Sequence, residues 1–243
     1  MNLQKLLSYT RQAVNDYNMI KDGDKIAVGI SGGKDSLCLL AALSEMRRFF
    51  PYKYELEAIT VSLGFNETDY SGVKSFCDKL GVNYTVADTQ IGRIIFDERK
   101  EENPCSLCAK MRKGALNNAA EELGCNKIAL GHNKNDVIET FLMSLIFEGR
   151  ISCFSPVSFL EKKKLYSIRP LIYVSEYETK SYADSLGSII VKNPCPADGS
   201  TKRQEIKELL KTLNKTYPNL NQRIFGAVTR SLDDWKRGGV NGR

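Results

Sequence analysis

Apolar residues occur along the chain in two kinds of pattern, which predict strands and helices in alternation. Short apolar runs predict buried strands, and these lie at 26–30, 55–62, 82–87 and 127–130. Apolar residues at intervals of three or four positions predict helices, and these lie at 36–49, 69–80, 105–123 and 133–147. Strands that alternate with helices are typical of a parallel sheet. We therefore expect an α/β protein with a doubly wound, mainly parallel sheet.

The pattern is different at the two ends of this region and near its middle. Residues 1–20 predict an amphipathic leading helix, and residues 88–104 predict an irregular segment. Residues 155–169 predict two strands around a lysine-rich turn. Beyond them we expect a helix at 176–186, a short strand at 188–191, and basic helices at 203–214 and 219–235. We divide the chain into a leading helix (1–20), a main domain (21–200) and a basic helical C-terminal segment (201–243).

Composition narrows the class of protein. The chain has 243 residues, of which 42% are hydrophobic and 26% charged, so a folded globular protein is expected. Its net charge of +6 is compatible with a nucleic-acid partner. No apolar run approaches the ~20 residues of a membrane span, and the N-terminus lacks a signal-peptide core. We therefore expect a cytoplasmic protein with no membrane association.

The stretch KIAVGISGGKDS at 25–36 predicts a phosphate-binding site. Its apolar run ends near Gly29, and Ser31, Gly32 and Gly33 follow without bulky side chains. Two glycines allow the backbone to turn tightly and to bring N–H groups close to a ligand. A helix that begins near Ser36 would add its own unpaired N–H groups and its dipole. The spacings of the two common nucleotide-binding glycine motifs are absent.

In this setting SGGKDS resembles the PP-loop of the N-type ATP pyrophosphatases. The resemblance implies an adenine nucleotide α-hydrolase-like fold that binds ATP and cleaves it between the α and β phosphates. It also implies that the following residues bind the nucleotide: Gly29, Ile30, Ser31, Gly32, Gly33, Lys34, Asp35, Ser36 and Val61. Asp35 is the first candidate catalytic residue, because a carboxylate beside phosphates is suited to holding Mg²⁺ or to orienting the loop.

A second motif, GHNKNDVIET at 131–140, follows the fourth strand. Ligands of doubly wound sheets lie at the carboxyl ends of the strands, so this segment is expected to face the same crevice. Gly131 permits close approach of the backbone, His132 is a nucleotide contact or a structural residue, and Asp136 would bind Mg²⁺ or position the nucleotide. The motif resembles the second signature of PP-loop ATPases that modify tRNA. Arg169, in a shared RPL tripeptide, is a site residue or a surface arginine.

The seven cysteines are not expected to form disulfides in a reducing compartment. Cys105 and Cys108 form a C-x₂-C pair on a loop that enters a helix, and Cys195 lies between two stiffening prolines. A structural zinc ion normally takes four ligands, and a redox pair would not need Cys195. A cluster held by three thiolates would leave one iron open for chemistry. The cysteines expected to serve only in packing are Cys38, Cys77, Cys125 and, least clearly, Cys153.

Two further segments sharpen the resemblance. CSLCAKMRKGAL at 105–116 and PCPADGSTKRQEIK at 194–207 resemble the tRNA 2-thiocytidine synthetase (TtcA) family. The resemblance implies a [4Fe–4S] cluster held by Cys105, Cys108 and Cys195, and a basic catalytic residue at Arg112. The chain lacks the extra zinc-finger cysteines of uridine-thiolating relatives, which favours cytidine. The sequence Pro-Ala-Asp-Gly after Cys195 departs from the continuation typical of the bacterial members of this family.

We therefore expect an ATP-dependent tRNA sulfurtransferase that acts on cytidine 32 of the anticodon loop. ATP would adenylate the C2 carbonyl with Mg²⁺ present, and sulfur would then displace AMP. The expected partners are tRNA and a cysteine desulfurase or another sulfide source, and a homodimer is possible. The alternatives are thiolation of another tRNA base, a PP-loop ligase with a different nucleophile, as in lysidine synthetases, and a non-catalytic RNA-binding protein whose cysteines hold zinc.

Overall fold

The computed structural model describes residues 3–65, 68–99, 104–186 and 202–236. Six strands form one sheet in the order β3-β2-β1-β4-β6-β5. The strands are β1 (Asp24–Gly29), β2 (Tyr54–Ser62), β3 (Asn83–Asp88), β4 (Lys127–Ala129), β5 (Val157–Leu160) and β6 (Leu165–Ile168). Neighbouring strands are parallel except β5 and β6, which form a hairpin at one edge. The predicted doubly wound, mainly parallel sheet is confirmed.

The helices lie between the strands and at both ends of the described chain. They are α1 (Leu3–Asp16), α2 (Lys34–Met46), α3 (Ser71–Lys79), α4 (Ile91–Arg93), α5 (Pro104–Glu122), α6 (Lys134–Glu148), α7 (Glu176–Ala183), α8 (Lys202–Thr216) and α9 (Leu220–Ser231). A π-helical turn, Ile94–Glu98, follows α4. Short 3₁₀ turns follow α7 and α9, at Asp184–Leu186 and Asp233–Trp235. The predicted helix boundaries agree with these to within a few residues.

The sheet reverses its direction of winding at β1. Val28 of β1 pairs with Ala58 of β2 on one side and with Ala129 of β4 on the other. The connections after β1 and β4 therefore leave the sheet in opposite directions, and a crevice opens between the carboxyl ends of these two strands. Ligands of open α/β sheets bind at such a point. The glycine loop and the second motif both begin at this crevice.

Both faces of the sheet are covered, as alternate residues of β1 demonstrate. Ile26 and Val28 belong to the larger core cluster, which also contains residues of α1, α2 and α9. Ala27 faces the other way and belongs to a cluster with Leu116 of α5. Trp235, close to the end of the described chain, lies in the larger cluster and is 1% exposed. Residues from both ends of the chain therefore pack on one core.

Several details differ from the predictions. Cys105 and Cys108 lie in the first two turns of α5, as the helix predicted at 105–123 requires, and the loop expected to carry the pair is already helical from Pro104, a position that proline favours. The segment 88–104, predicted to be irregular, contains α4 and the π-helical turn. The strand predicted at 188–191 lies outside the described residues, and the division into three parts stays a prediction. Within the described ranges, no helix is long and apolar enough to cross a membrane.

Candidate active site

The glycine loop joins β1 to α2 and is folded back by its own serines. Gly32 has a φ of +77°, a left-handed conformation that glycine adopts without strain. The backbone N–H of Ser31 donates to the Ser36 hydroxyl at 3.2 Å, and that hydroxyl donates to the Gly33 carbonyl at 2.9 Å. These bonds hold the loop against the first turn of α2.

The first turn of α2 is open to an anion. Gly33 is the N-cap residue, and because glycine has no side chain, it does not cap the first N–H groups of the helix. In contrast, Asn133 at the start of α6 accepts from the backbone N–H groups of Asn135 and Asp136. The first N–H groups of a helix have no partner within the helix, and the helix dipole adds partial positive charge there. The glycine loop and α2 therefore form a site suited to phosphate.

The second motif lies directly against this loop. A Cβ atom at Gly131 would lie 3.1 Å from both the backbone carbon of Asp35 and the backbone nitrogen of Ser36. The side-chain amide Nδ2 of Asn133 donates to Asp35 Oδ1 at 3.2 Å. The backbone N–H of Asn133 donates to Asp136 Oδ2 at 2.9 Å. The two motifs, about a hundred residues apart in sequence, therefore form one site.

A cavity of about 490 Å³ lies between the glycine loop, the strand ends and α5. This volume is in the range of small-molecule binding sites, ~300–1,000 Å³. The predicted site residues that line it are Gly29, Ile30, Ser31, Asp35, Ser36, Val61, Arg112, Gly131 and His132. Gly32, Gly33, Lys34 and Asp136 belong to the same two motifs but do not line the cavity.

One face of α5 forms a wall of this cavity. Ala109, Arg112 and Leu116 line it and recur at the spacing of one helical face. Cys105 precedes Arg112 by seven residues, or two turns, and lies on the same side of α5. Cys108 precedes Arg112 by four residues and packs at the edge of this face, against a cluster of Leu63, Ile91 and Ile95. At ~1.5 Å of rise per residue, Cys108 and Cys105 lie about 6 and 10 Å along the helix axis from Arg112. The C-x₂-C pair therefore lies one to two turns beyond the cavity wall.

Three buried polar atoms of the cavity residues have no hydrogen-bond partner in the described structure. They are His132 Nδ1, Ser167 Oγ and Arg169 Nε. A buried polar atom without a partner costs about 1–3 kcal/mol. Because all three lie around one cavity, they fit a polar ligand that would bind there.

Arg169 is anchored from behind the cavity. Its Nη1 donates to the Ser155 carbonyl at 2.6 Å, and its guanidinium lies over the Phe154 ring at 5.0 Å. The residue is 7% exposed, so the alternative interpretation as a surface arginine is wrong. Burial lowers the pKa of Arg169 to about 10, which leaves it charged at neutral pH. It therefore gives the cavity a fixed positive charge.

His132 is neutral in this environment. Burial, followed by the charges of Arg169 and Arg203, lowers the pKa of His132 to about 3. Its ring packs against Phe154 with 4.9 Å between the ring centroids. A neutral imidazole held in this way is suited to contacting a ligand, and it would not supply a proton at neutral pH.

The acidic residues beside the cavity are also perturbed. Burial raises the pKa of Asp136 above its usual range. Burial likewise raises the pKa of Glu139 to about 7, although Lys207 and Arg203 oppose this shift. Asp35 and Asp136 are bridged by Asn133, and such a pair fits the way Mg²⁺ binds one or two carboxylates together with substrate phosphates. No group of three or more metal-binding side chains was found in the described parts of the chain.

The structure separates the cysteines by environment. Cys105 is exposed and Cys108 is half-buried at the start of α5, whereas Cys195, the third predicted cluster ligand, lies outside the described residues. Two thiols three residues apart in one helical turn are placed to share a metal centre. The cysteines that are buried in the core, as a packing role requires, are Cys38, Cys77 and Cys125. Cys153 is half-buried, and its thiol donates to the Val137 carbonyl at 3.5 Å.

Sequence reasoning missed part of the cavity wall. Its additional residues are Ile59, Ala109, Lys113, Leu116, Asn117, Ile128, Leu130 and Ser167. Those of α5 could have been found from the helical spacing that starts at Arg112. Ser167 has no local signal, because its place depends on β6 pairing with β4, where Ser167 lies beside Ile128.

The fold and the glycine loop define a nucleotide-binding protein of the PP-loop class. Residues 4–213 match the family model described as a PP-loop domain. The U34-tRNA thiolase NcsA from Methanococcus maripaludis, solved with its [4Fe-4S] cluster, superposes with a TM-score of 0.74. It is 26% identical, over 93% of this chain and 77% of that chain. NAD⁺ synthetase from Burkholderia pseudomallei shares the fold alone, with a TM-score of 0.52, 13% identity, and coverage of 95% and 90%.

The sequence relatives are more specific. A tRNA-cytidine(32) 2-sulfurtransferase from Pelobacter propionicus is 38% identical over 221 residues, which is 90% of this chain and 82% of the relative. The enzyme of the same name from Dichelobacter nodosus is 36% identical over 231 residues, 94% of this chain and 86% of the relative. The chain therefore belongs to the family of the tRNA-cytidine(32) 2-sulfurtransferases. The resemblance inferred from its motifs is confirmed.

Proposed function

We propose that this protein is an ATP-dependent tRNA sulfurtransferase that replaces the C2 oxygen of cytidine 32 with sulfur. One observation carries the proposal: α5, which forms a wall of the cavity beside the glycine loop, carries Cys105 and Cys108 one to two turns before the cavity residue Arg112. A nucleotide bound by the loop would therefore lie within one or two helical turns of Cys105 and Cys108. The family relationship supports cytidine as the base.

The first step is activation of the base by ATP. The C2 oxygen attacks the α-phosphorus, the bond from that phosphorus to the bridging oxygen breaks, and pyrophosphate leaves with the electron pair. The first N–H groups of α2 and the glycine loop hold the departing pyrophosphate. Asp35 and Asp136 would hold Mg²⁺ against the phosphates. Arg169, a buried cation in the wall, would offset charge that develops on the nucleotide.

The second step replaces the activated oxygen. A sulfur nucleophile attacks C2, and the C2–O bond breaks with AMP as the leaving group. When bound, a [4Fe–4S] cluster would supply an open iron at which sulfur can be held. Cys105 and Cys108 are its described candidate ligands, and Cys195 is the third. Arg112 lines the cavity about one turn after Cys108, where it would orient the base or stabilise the leaving AMP.

The partners follow from this chemistry. The target base must leave the anticodon-loop stack to enter the cavity, which is easier for a loop than for a duplex. Lys110 and Lys113 are exposed on α5 near the thiols and are placed to contact the tRNA backbone. A cysteine desulfurase or another sulfide source would supply the sulfur in the cytoplasm. The reaction as proposed does not require a second copy of the chain.

The experiment that tests the proposal is anaerobic purification with a visible spectrum and with iron and sulfide analysis. We expect a brown protein with about four irons per chain, as a [4Fe–4S] site requires. Cys108→Ala and Cys195→Ala should each lose the cluster. Cys125→Ala is the matched control, because it removes a thiol that is 5% exposed and does not line the cavity.

The same preparations are then incubated with ATP, Mg²⁺, sulfide and unmodified tRNA. Pyrophosphate release should depend on ATP and tRNA, and 2-thiocytidine, measured in digested tRNA, should depend on ATP and on both substituted cysteines, Cys108 and Cys195. A colourless protein that holds zinc would contradict the proposal. Pyrophosphate release without thiolated tRNA would favour a ligase with another nucleophile, and 2-thiouridine in place of 2-thiocytidine would contradict the assigned base.

A further inference from the structure

A set of ion pairs connects the glycine loop to the C-terminal helix α8. Lys34, the first residue of α2 directly after the glycine loop, has its Nζ 3.0 Å from Asp35 Oδ2 and 3.1 Å from Glu176 Oε1, at the start of α7. Lys207 of α8 shares that Glu176 oxygen at 3.2 Å, and it lies 3.8 Å from Glu139 Oε1. Through Glu176, the glycine loop is therefore linked to α8.

Arg203 connects α8 to the second motif. Its Nη1 lies 2.7 Å from Asp136 Oδ1 and 3.3 Å from Glu139 Oε2, and its Nη2 lies 3.3 Å from Thr140 Oγ1. Asp136 is linked in turn to Asp35 through Asn133. The contacts close a ring in which α8 contributes two of the three cations, Arg203 and Lys207.

The ring uses the carboxylates that a magnesium ion would need. Asp136 Oδ1 is paired with Arg203, and Asp136 Oδ2 accepts from the Asn133 backbone N–H. A divalent cation that binds Asp136 through Oδ1 would therefore compete with the guanidinium for that oxygen. Arg203 would not be left unpaired, because Glu139 and Thr140 remain within reach. Glu139 has a side chain that is 3% exposed and depends on the α8 cations for its charge partners.

Helix α8 depends on these contacts more than the central helices do. Its buried residues are Ile206 and Leu210, which form a small cluster with Ile138 of α6. The buried residues of this cluster are distinct from those of the main core, and Phe225 of α9 packs against both. A change in the pairing of Arg203 should therefore alter how firmly α8 is held.

We propose that Arg203 is a positioning residue whose ion pair with Asp136 breaks when a divalent cation binds Asp136. Loading of the nucleotide site would then change how firmly α8 is held against α6. The proposal rests on the proposed ATP site. Helix α8 begins at Lys202, seven residues after Cys195 (202 − 195 = 7). Replacement of Arg203 by the cation at Asp136 would thus couple nucleotide loading to α8, the helix that follows the third predicted cluster ligand in the sequence.

Hydrogen–deuterium exchange of the full chain tests the coupling. The protein is measured alone, with α,β-methylene-ATP plus Mg²⁺, and with α,β-methylene-ATP plus a chelator. This analogue resists cleavage between the α and β phosphates. With Mg²⁺ we expect protection of the glycine loop and at least a threefold change in the exchange rate of 202–216. With the chelator the exchange rate of 202–216 should stay at the value of the protein alone.

Variants test the role of Arg203 itself. The increase in melting temperature given by the analogue is measured against free Mg²⁺. Arg203→Gln removes the competing charge, so half of the full increase should be reached at about fivefold less Mg²⁺, as expected for a partly exposed ion pair. In this variant, exchange of 202–216 should no longer respond to Mg²⁺. Lys211→Gln is the matched control, since it removes an exposed cation from the same helix outside the ring.

The outcomes separate this inference from the proposed function. If the glycine loop becomes protected while 202–216 does not change, the coupling is refuted and the ATP site stands. If Arg203→Gln needs as much Mg²⁺ as the wild type, or more, to reach half of the full increase in melting temperature, then Arg203 only steadies Asp136. Competition between Arg203 and the cation is then refuted. If no segment becomes protected, the nucleotide site is wrong, and the proposed function and this inference fail together.

Discussion

Substitution of Gly131 by alanine tests the packing of the second motif against the glycine loop. The new Cβ would lie 3.1 Å from the backbone carbon of Asp35 and from the backbone nitrogen of Ser36, and 3.2 Å from the Asp35 carbonyl oxygen. An ordinary contact is 3.4–4 Å, so the loop must move by a few tenths of an ångström. Overpacking against atoms that cannot rotate away costs ~1–3 kcal/mol. In a domain of this size the melting temperature should fall by roughly 2–4 °C for each kcal/mol.

The same displacement should weaken nucleotide binding. It moves the first turn of α2, whose N–H groups are proposed to hold the pyrophosphate. A loss of about 1.4 kcal/mol is a tenfold loss of affinity. We therefore expect Gly131→Ala to bind α,β-methylene-ATP about tenfold more weakly in equilibrium titrations. Binding is measured at a temperature at which both proteins are folded, so that the loss of stability does not contribute.

Gly114→Ala is the control for this substitution. Gly114 lies inside α5 with nothing within 4 Å of its added Cβ. Alanine there should stabilise the protein by about 1 kcal/mol, because glycine is a poor helix former, and should leave nucleotide affinity unchanged. If Gly131→Ala kept both the melting temperature and the affinity of the wild type, the close approach of the two motifs would have no importance for either property.

Two further predictions follow from the perturbed pKa values. The chain has one histidine, His132, and its pKa is lowered to about 3. In the untagged protein, the ¹⁵N resonances of this imidazole should therefore not shift between pH 5 and 8. A titration of these resonances near pH 6.5 would refute the burial of His132. The pKa of Glu139 is raised from 4.5 to about 7 in the folded protein. Between these two pH values the folded protein therefore holds a proton on Glu139 that the unfolded chain has lost. Stability should therefore fall as the pH rises from about 4.5 to 7, by up to ~1.4 kcal/mol per pH unit, and Glu139→Gln should remove this slope in denaturant titrations.

Much of the fold was predictable because it depends on local patterns. The run from Ile26 to Ile30 is apolar because β1 is buried on both faces, and the glycines after it mark a turn that other residues would strain. The motif at 131–140 could be assigned to the same crevice, since parallel strands bring their carboxyl ends to one edge of the sheet. The family resemblance supplied what the patterns alone do not, namely ATP, the cluster and the tRNA base.

The missed parts of the site depend on pairings between distant residues. Arg203 and Asp136 are 67 positions apart in the sequence, and nothing near either residue indicates that they pair. The burial of Arg169 depends on Phe154 and Ser155, which approach it through the hairpin of β5 and β6. In sequence Arg169 is a charged residue before Pro170, which is equally typical of a surface turn. Arg169 can be assigned to the cavity only when the register of β6 against β4 is known.

The orientation of α5 bears on the choice between sulfur transfer and the alternative nucleophiles. A ligase that joins an amine to the activated base would need room at the cavity for that amine and would have no use for paired thiols. Here the helix that forms the cavity wall carries Cys105 and Cys108 one to two turns before Arg112. Cys108 packs partly against an apolar cluster, but Cys105 is exposed, unlike Cys77 and Cys125, which lie in the core. The helix that would contact the activated base thus also presents a thiol, and sulfur transfer is the chemistry for which this arrangement has a use.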